Sequence, residues 1–404
     1  MIKIVGIREN FPILSRKVNG KDLVYFDNGA STQKPKTVMA AIEKCLKEEY
    51  SNVHRGVHFL SGLATDKFEE SRIAFKKFIN AEHVHEIIFT KGTTDSINII
   101  AGSFSSLLKS GDEILVSELE HHSNIVPWQL CCERSGATLK KIPIRESGDL
   151  NIEAFERLLS NKTKLVAVSH VSNTLGTINP IEKIIKMSHK AGAKVLVDGA
   201  QAISHLPLNM QKLNVDFYCF SAHKMYGPSG VGVLYGKEKI LNKLPPYQGG
   251  GAMIKEVGFE KTTYNELPYK FEAGTPNIEA VISCKSSIDF ICSVGMEKIV
   301  AYENELLQYT TKKLVEIEGV KIYGKSEKKS AIISFNIDGI HHYDLGVLLD
   351  KMGIAVRTGH HCTQPLMKRF KIPGTVRISL AIYNTKNEVD ICIAAIKKAK
   401  LMLL

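Results

Sequence analysis

Lys164-Leu-Val-Ala-Val-Ser169 and Lys194-Val-Leu-Val-Asp198 are two short apolar runs, and an amphipathic helical pattern over Ile181–Ala191 separates them. Each run has the length of a buried strand, whereas the pattern between them has the period of a helix. Strands that alternate with helices predict a largely parallel sheet with helices on both faces. These residues therefore predict an α/β fold.

The same alternation continues on both sides of these runs. Further strands are predicted at Glu86–Thr90, Glu113–Ser117, Asp216–Ser221 and Gly230–Leu234. In sheets of this kind, functional residues gather at the carboxyl ends of the strands. The residues that follow each strand are therefore the first candidates for a functional site.

The alternation of predicted strands and helices stops at Pro245. The stretch Pro245–Pro276 contains three consecutive glycines and is predicted to be a long loop or hairpin. A smaller α+β domain is expected near the C-terminus, after helices at Ile278–Val294 and Met296–Ile317, from elements at Ala331–Asn336, Tyr343–Met352, Ile354–Arg357, Val376–Leu380 and Lys386–Leu403. We expect an N-terminal segment (1–20) that packs with this small domain, a large domain (21–295) and the small domain itself (296–404).

The composition is that of an ordinary globular protein. The chain has 404 residues, of which 44% are hydrophobic and 24% charged. No stretch approaches the roughly 20 apolar residues that span a bilayer, and the N-terminal apolar run is too short for a secretory signal. We therefore expect a cytoplasmic protein with no membrane association.

The net charge of +11 raises the question of nucleic-acid binding. The lysines are scattered instead of clustered and no aromatic-basic module is present, so a solvated surface is the favoured explanation and no nucleic-acid partner is predicted. The eight cysteines include no C-x-x-C pair. Reduced thiols in a reducing compartment are therefore expected.

The stretch Phe220-Ser-Ala-His-Lys224-Met-Tyr-Gly-Pro-Ser-Gly230 ends a predicted strand in polar side chains before a Gly/Pro-rich turn. A desolvated lysine can condense with a carbonyl cofactor as a Schiff base. Ser221 and His223 beside it could hold a phosphate. Taken alone, Lys224 has a simpler explanation as a surface residue, so its catalytic interpretation depends on the other motifs.

An acidic residue ends the neighbouring strand in Lys194-Val-Leu-Val-Asp198-Gly-Ala-Gln201. A buried carboxylate needs a partner, and a protonated pyridine nitrogen would supply one, which would make the ring an electron sink. Gln201 could then reach the ring's phenolic oxygen. The alternative is that Asp198 caps the N-terminus of a helix.

Two other predicted strands are followed by polar motifs. In Phe89-Thr-Lys-Gly-Thr93-Thr94, hydroxyl residues open a helix, where N–H groups and the helix dipole favour a phosphate; ordinary capping is the alternative. In Glu118-Leu-Glu-His121-His122, a histidine could stack on a planar ring and move protons. Metal binding by the histidine pair lacks a clear third ligand, so no metal site is predicted.

The small domain contributes Val356-Arg357-Thr-Gly-His360-His361-Cys362 and Thr375-Val-Arg377-Ile-Ser379. Arg377 lies in an apolar strand, where its guanidinium needs an anion such as a substrate carboxylate. Cys362 lies in a Gly/His-rich loop, where nearby Arg and His could stabilise a nucleophilic thiolate. The alternative for Cys362 is a small buried hydrophobe.

Together these motifs resemble those of the cysteine desulfurases, fold-type I pyridoxal-phosphate enzymes of the class V aminotransferase family. The closer resemblance is to the SufS-type (group II) desulfurases and selenocysteine lyases, in which the cysteine follows two histidines without a long flexible segment. The resemblance extends over nearly the whole chain and is carried by Asn52-Val-His54-Arg55-Gly-Val-His58, Lys91-Gly-Thr-Thr94, Glu120-His121-His122, His170-Val-Ser-Asn173-Thr-Leu-Gly176, Val197-Asp-Gly-Ala-Gln201, Ser221-Ala-His-Lys224, Phe271-Glu-Ala-Gly-Thr275-Pro-Asn277 and Arg357-Thr-Gly-His-His-Cys362.

The resemblance implies a mostly parallel seven-stranded sheet in the large domain and pyridoxal 5'-phosphate as cofactor. Lys224 would bind the cofactor as a Schiff base and later move protons. Asp198 would pair with the pyridine nitrogen, Gln201 with the phenolic oxygen, and His121 would stack over the ring.

The resemblance also implies where the phosphate and the substrate bind. The phosphate would be held by Thr94, Ser221, His223 and, from the neighbouring subunit of a homodimer, Thr275. The substrate would be positioned by Asn173 and by Arg377, which would bind its carboxylate. Arg357 would lie beside Cys362, and the entrance would be lined by His54 and Arg55.

Two short segments depart from the resemblance. Asp27-Asn-Gly-Ala-Ser31 stands where relatives often carry Asp-Ser-Ala-Ala-Ser, and Lys91 stands where arginine is common. The first departure is expected to affect the substrate side of the pocket, through Asn28 and Gly29. None of the residues that the chemistry needs is missing.

The resemblance implies that L-cysteine is converted to L-alanine while its sulfur becomes a persulfide on Cys362. A SufE- or SufU-type acceptor would then carry the sulfur to an iron–sulfur scaffold. The nearest alternative is a selenocysteine lyase, which does not strictly need the cysteine; a second is transamination of a small amino acid. A non-enzymatic sulfur or metal carrier built around His360, His361 and Cys362 would leave Lys224 and Asp198 unexplained.

Overall fold

The computed structural model describes residues 6–404, so the first five residues of the predicted N-terminal segment lie outside it. The described residues form seventeen strands: β1 (Lys17–Val18), β2 (Lys21–Asp22), β3 (Val24–Tyr25), β4 (Ile87–Thr90), β5 (Glu113–Ser117), β6 (Thr138–Ile142), β7 (Thr163–Ser169), β8 (Lys194–Asp198), β9 (Phe217–Ser221), β10 (Gly232–Gly236), β11 (Ile254–Val257), β12 (Thr262–Tyr264), β13 (Val320–Tyr323), β14 (Ile332–Ile337), β15 (Ile354–Ala355), β16 (Arg357–Gly359) and β17 (Thr375–Ser379).

Thirteen α-helices lie between these strands in the same residues. They are α1 (Lys36–Lys44), α2 (Phe59–Phe78), α3 (Thr93–Phe104), α4 (Val126–Ser135), α5 (Ile152–Leu158), α6 (Ile181–Lys190), α7 (Met210–Leu213), α8 (Glu238–Leu241), α9 (Ile278–Val294), α10 (Met296–Val315), α11 (His342–Lys351), α12 (Gln364–Phe370) and α13 (Lys386–Leu403). Within residues 6–404, none of the helices is both long and apolar enough to cross a lipid bilayer.

A seven-stranded sheet forms the centre of the large domain, with the strand order β4-β10-β9-β8-β7-β5-β6. The neighbours from β9 to β6 are parallel, and only β10 runs antiparallel to both of its neighbours. The predicted mostly parallel α/β sheet is therefore confirmed. The edge strand β6 was missed, because its Thr-Leu-Lys-Lys-Ile sequence is half-exposed and lacks an apolar run.

The central strands β5, β7, β8 and β9 are buried on both faces, which explains why they are apolar runs. Successive residues of β8 point to opposite faces: Val195 and Val197 pack in one hydrophobic cluster, and Leu196 packs in the other. All three are fully buried, and each such side chain stabilises the fold by about 1.5–3 kcal/mol. The strand ends between the two layers are left open, at the edge where polar residues follow β5, β7, β8 and β9.

The smaller sheet has the order β13-β14-β17-β16, and all of its neighbouring strands are antiparallel. It shares a separate core with α10, α11 and α13. The single strand predicted at Ile354–Arg357 is divided in the structure. Its first part, β15, pairs in parallel with β3, whereas β16 pairs with β17. This change of partner places Arg357 beside Arg377 on the small sheet.

The N-terminal segment and the β11–β12 hairpin lie outside the two larger sheets. Phe11 packs against Phe290 and Tyr383, so the N-terminal segment contacts both parts of the chain. The exact domain boundaries stay a prediction. The hairpin β11–β12 lies within Pro245–Pro276, as predicted, and Phe259 at its turn is fully exposed.

Candidate active site

The carboxyl ends of the central strands and one loop of the small domain enclose a cavity of about 430 Å³. This volume is in the range of small-molecule sites in proteins. Eleven of the fourteen predicted site residues line it: Thr94, His121, Asn173, Asp198, Gln201, Ser221, His223, Lys224, Arg357, Cys362 and Arg377. The structure thus brings together residues that are up to 283 positions apart, from Thr94 to Arg377.

Lys224 reaches this cavity because β9 ends at Ser221 and a single 3-10 turn follows. Burial lowers the pKa of its amine to about 8, and the nearby Arg377 acts in the same direction, whereas Asp198 opposes both. A larger fraction of this amine is therefore unprotonated near neutral pH than for an exposed lysine. An unprotonated amine is the nucleophilic form.

Asp198 ends the adjacent strand β8 and is 6% exposed. Its Oδ1 accepts the Ala200 N–H at 2.9 Å, and burial raises the pKa of its carboxyl group. The next α-helix begins only at Met210, so the helix N-cap alternative is wrong. Gln201, which is also buried, donates from Nε2 to the Gly29 carbonyl oxygen at 2.7 Å.

His121 follows β5 and is held in one orientation by Ser123. The Ser123 N–H donates to its Nδ1 at 3.1 Å, and the Ser123 hydroxyl lies 3.0 Å from the same atom. Burial, with the charge of Lys224, lowers the pKa of His121 to about 4. The ring is therefore neutral at physiological pH.

Glu120, next to His121, is a positioning residue for which the sequence predicted no role. It is fully buried, and burial raises the pKa of its carboxyl group to about 7. Its oxygens accept the Ser169 N–H at 2.9 Å and the Asn124 side-chain amide at 2.6 Å. Glu120 thus ties the His121 segment to the end of β7.

Another part of the cavity wall consists of hydroxyl groups near the N-terminus of α3. The Thr93 N–H donates to the Ser221 Oγ at 2.8 Å, and the Thr94 hydroxyl pairs with that of Ser123 at 2.7 Å. Burial lowers the pKa of His223 to about 4. Thr93 also lines the cavity. It is one of the two hydroxyl residues that the sequence predicted at a phosphate site, with ordinary helix capping as the alternative.

Two arginines of the small domain form the third side. Arg377 is 2% exposed and donates from Nη1 to the Asn173 carbonyl oxygen at 2.8 Å. Both Arg377 and Arg357 also bind the carboxylate of Asp27. Asp27 begins the segment Asp27–Ser31, and nothing in that segment predicts these two partners.

Asn28 and Gly29, where the sequence departs from its relatives, have different surroundings in the structure. Asn28 is buried and donates to the Ser379 carbonyl oxygen at 2.7 Å, so it stabilises the fold instead of facing the cavity. Gly29 does line the cavity, and a Cβ added there would lie 3.2 Å from the Arg377 guanidinium carbon. The expected effect on the pocket is therefore local to Gly29.

Cys362 lies in the short loop between β16 and α12, and it is exposed. The alternative of a buried structural cysteine is therefore wrong. The large domain holds the loop by its backbone: the His122 N–H donates to the Cys362 carbonyl oxygen at 2.8 Å, and the Asn173 amide donates to that of His361 at 2.7 Å. Cys362 itself has a φ of +57°, which is uncommon outside glycine.

Three predicted residues do not line this cavity within a single chain. His54 binds Glu69 at 2.9 Å and packs against Tyr269. Arg55 is exposed beside it. Thr275 lines a different cavity, together with Lys91, Phe271 and Glu272. Among residues 6–404 no group of three His, Cys, Asp or Glu side chains is arranged to hold a metal ion.

Comparison with known proteins agrees with this architecture. The aminotransferase class-V family profile matches residues 24–392. A cysteine desulfurase of Wigglesworthia glossinidia brevipalpis is 48% identical over 403 residues, which is 99% of this chain and 98% of that protein. The chain belongs to the class-V aminotransferase family and, within it, to the cysteine desulfurases, which are sulfurtransferases.

Solved structures show the same relationship. The cysteine desulfurase CsdA of Escherichia coli, in its S-sulfonic acid form, superimposes with a TM-score of 0.93 at 34% identity and full coverage of both chains. The apo cysteine desulfurase of Thermococcus onnurineus NA1 gives a TM-score of 0.92 at 38% identity, covering 97% of this chain and 96% of that one. Enzymes of this family depend on pyridoxal phosphate, and the fold is that of fold-type I.

Proposed function

We propose that this chain uses pyridoxal phosphate to convert L-cysteine to L-alanine and that it takes up the sulfur as a persulfide on Cys362. The observation that carries the proposal is the position of Cys362. It is an exposed thiol on the wall of the same cavity that holds Lys224 and Asp198. A desulfurase needs a nucleophilic sulfur next to the group that activates the substrate.

The residues present fit the cofactor. Asp198 is only 6% exposed, yet among the described residues its carboxylate accepts a single hydrogen bond, from the Ala200 N–H. A protonated pyridine nitrogen would satisfy the rest of its capacity. Lys224, Gln201 and His121 would hold the ring, and Thr94, Ser221 and His223 the phosphate. When bound, the cofactor supplies an electron sink for bonds at the substrate α-carbon.

The chain's own residues would then divide the reaction between them. Arg377 and Asn173 would hold the substrate carboxylate, and Lys224 would take the proton from the α-carbon. The Cys362 sulfur would attack the substrate sulfur. An S–S bond forms as the substrate C–S bond breaks, and a proton replaces the sulfur on the carbon to give alanine.

The short loop supports a SufS-type assignment. Backbone contacts to His122 and Asn173 hold the loop in place, so Cys362 cannot carry its sulfur far from the cavity. A dedicated protein must therefore approach it, which fits a SufE- or SufU-type acceptor and delivery to an iron–sulfur scaffold. The eight cysteines are all unpaired, which supports a reducing compartment such as the cytoplasm.

A homodimer is part of the proposal. Val57 and Phe59, which follow Arg55, are 105% and 80% exposed, and Phe259 is 113% exposed. In the homodimer, the second chain would cover these apolar side chains. A second copy would also bring its Thr275 and its His54–Arg55 segment into reach of a site that they do not line within one chain.

The choice between desulfurase and selenocysteine lyase is tested by alanine release from the two amino acids. We expect the purified holoenzyme to release L-alanine from both L-cysteine and L-selenocysteine. With Cys362→Ala, release from L-cysteine should be lost while release from L-selenocysteine persists, since selenium can leave without an attacking thiol. Activity of the wild type on selenocysteine alone would overturn the proposal in favour of the lyase.

The pH dependence of cofactor binding tests the role of Lys224. Because burial lowers the pKa of its amine to about 8 from 10.5, and only the unprotonated amine attacks a carbonyl, reconstitution of the apoprotein should become faster as pH rises. We expect the rate, followed by visible absorbance, to rise from about pH 7 and to level off above about pH 9. A rate that keeps rising to the pKa of an ordinary lysine would contradict this environment.

A further inference from the structure

The turn that carries Lys224 is held by a loop near the N-terminus, residues 31–34, which lies between β3 and α1. The carbonyl oxygen of His223, the residue before Lys224, accepts the Thr32 N–H at 3.0 Å and the Thr32 hydroxyl at 3.1 Å. The same hydroxyl accepts the Tyr226 N–H at 2.8 Å. Thr32, which is buried, therefore binds the backbone on both sides of Lys224.

Lys34 and Ser31 of the same loop bind the same carbonyl oxygen. The Lys34 ammonium lies 3.3 Å and the Ser31 hydroxyl 3.2 Å from the His223 oxygen. Lys34 also donates to the Thr32 carbonyl oxygen and, at 3.2 Å, to the Ser31 hydroxyl. Burial lowers the pKa of Lys34 to about 8, so its amine is mostly charged at neutral pH and its hydrogen bonds are charge-assisted. The loop thus adds a charged donor to the backbone directly before Lys224.

The turn adopts a backbone conformation that needs support. Lys224 ends a single 3-10 turn, and Tyr226, two residues later, has a φ of +64°. This left-handed region is unfavourable for a bulky residue and persists only where the surroundings impose it. The Tyr226 ring packs against Phe11 and Phe290, and the Thr32 hydroxyl holds its N–H. Without that hydroxyl a buried N–H would lose its acceptor, so the turn and its lysine would shift toward another partner.

The 31–34 loop is itself fixed by hydrogen bonds to other parts of the chain. The Tyr25 hydroxyl on β3 donates to the Ser31 carbonyl oxygen at 2.8 Å. The Gln33 N–H donates to the hydroxyl of Tyr383 at 3.0 Å, and Tyr383 is fully buried. The loop therefore supports the turn from a fixed position instead of moving with it.

We propose that Thr32 and Lys34 are positioning residues, which fix the direction from which the Lys224 amine reaches the substrate α-carbon. Neither of them lines the cavity, so they would act on the substrate only through Lys224. This inference rests on the proposed function, in which Lys224 moves the proton of the α-carbon. Misplacement of a catalytic group by about 1 Å can cost about 10²-fold in rate.

Thr32→Val tests the inference because it keeps the shape of the side chain and removes the hydroxyl, whereas Thr32→Ser keeps the hydroxyl. The exchange of the α-proton of L-alanine for solvent deuterium is the reaction to follow, since it is the reverse of the step in which Lys224 would protonate the product. The dissociation constant of alanine is measured on the same holoenzyme from the change in its visible absorption.

We expect Thr32→Val to slow the exchange by about tenfold or more while the dissociation constant of alanine stays within about threefold of wild type. A role in folding alone would not separate these two quantities. Thr32→Ser should restore the exchange to within about threefold of wild type, because both hydrogen bonds can form again. Thr37→Val, at an exposed threonine on α1, is the matched control and should change nothing.

Lys34→Met provides an independent arm that does not depend on the folding of Thr32→Val. It removes one donor to the His223 oxygen and keeps the bonds of Thr32, so exchange should slow by about threefold or more with alanine binding unchanged. Unchanged exchange in either variant, a loss explained by weaker alanine binding, or a failure of Thr32→Ser to rescue would overturn the inference. A wild type that neither exchanges the α-proton of alanine nor forms alanine from cysteine would instead overturn the proposed function.

Discussion

Lys224→Ala is expected to lose cysteine turnover by at least about 10³-fold, because a positioned acid–base group alone contributes about 10²- to 10⁴-fold and this lysine would also hold the cofactor. The variant should also lack the visible absorption band that a lysine-bound cofactor gives. Both results follow from one cause. Among the described residues, no other lysine lines the cavity, so no other amine can take the place of Lys224.

The measurements are the visible spectrum of the purified protein and alanine release from L-cysteine. Lys239→Ala, an exposed lysine on α8, is a suitable control and should behave as wild type. If Lys224→Ala kept both the absorption band and the turnover, the assignment of Lys224 would be wrong. Loss of the band with retained turnover would equally contradict its role in the reaction.

Sequence patterns predicted the central elements well where local physics decides them. The strands Glu113–Ser117 and Lys194–Asp198 and the helix Ile278–Val294 have the predicted bounds. Each strand is an apolar run buried on both faces, and the helix is flanked by Asn277 and Gly295, which are typical of helix ends. Polar residues at strand ends then predicted most of the cavity wall.

The predictions failed where pairing between distant segments decides the outcome. Nothing near Asp27 shows that Arg357 and Arg377, 330 and 350 positions away, will bind it. The strand predicted at Ile354–Arg357 is divided for the same reason, since β15 follows a partner near the N-terminus. Glu120 had a local indication, because a glutamate three residues after the end of a buried strand needs hydrogen-bond partners if it is itself buried.

The sequence also predicts residues that would act across a subunit boundary. His54, Arg55 and Thr275 were named through resemblance, and within one chain they lie outside the cavity. A single sequence carries no periodicity that reports on a neighbouring copy. Their roles stay predictions until the homodimer is tested.

Cys362→Ala is the second substitution with a large expected effect. Cysteine turnover should fall by at least about 10³-fold, since removal of an enzyme's nucleophile can cost about 10⁶-fold. The visible band should remain, because Cys362 would not hold the cofactor. Cys292→Ala removes the other exposed cysteine, which lies on α9 away from the cavity, and should leave turnover unchanged.

The central claim is that Cys362 accepts the substrate sulfur, and mass analysis of the protein after brief exposure to L-cysteine tests it most directly. We expect the wild type to gain one sulfur atom, located on the peptide that contains Cys362, and Cys362→Ala to gain none. Sulfur found on another cysteine, or alanine formed by Cys362→Ala at the wild-type rate, would contradict it.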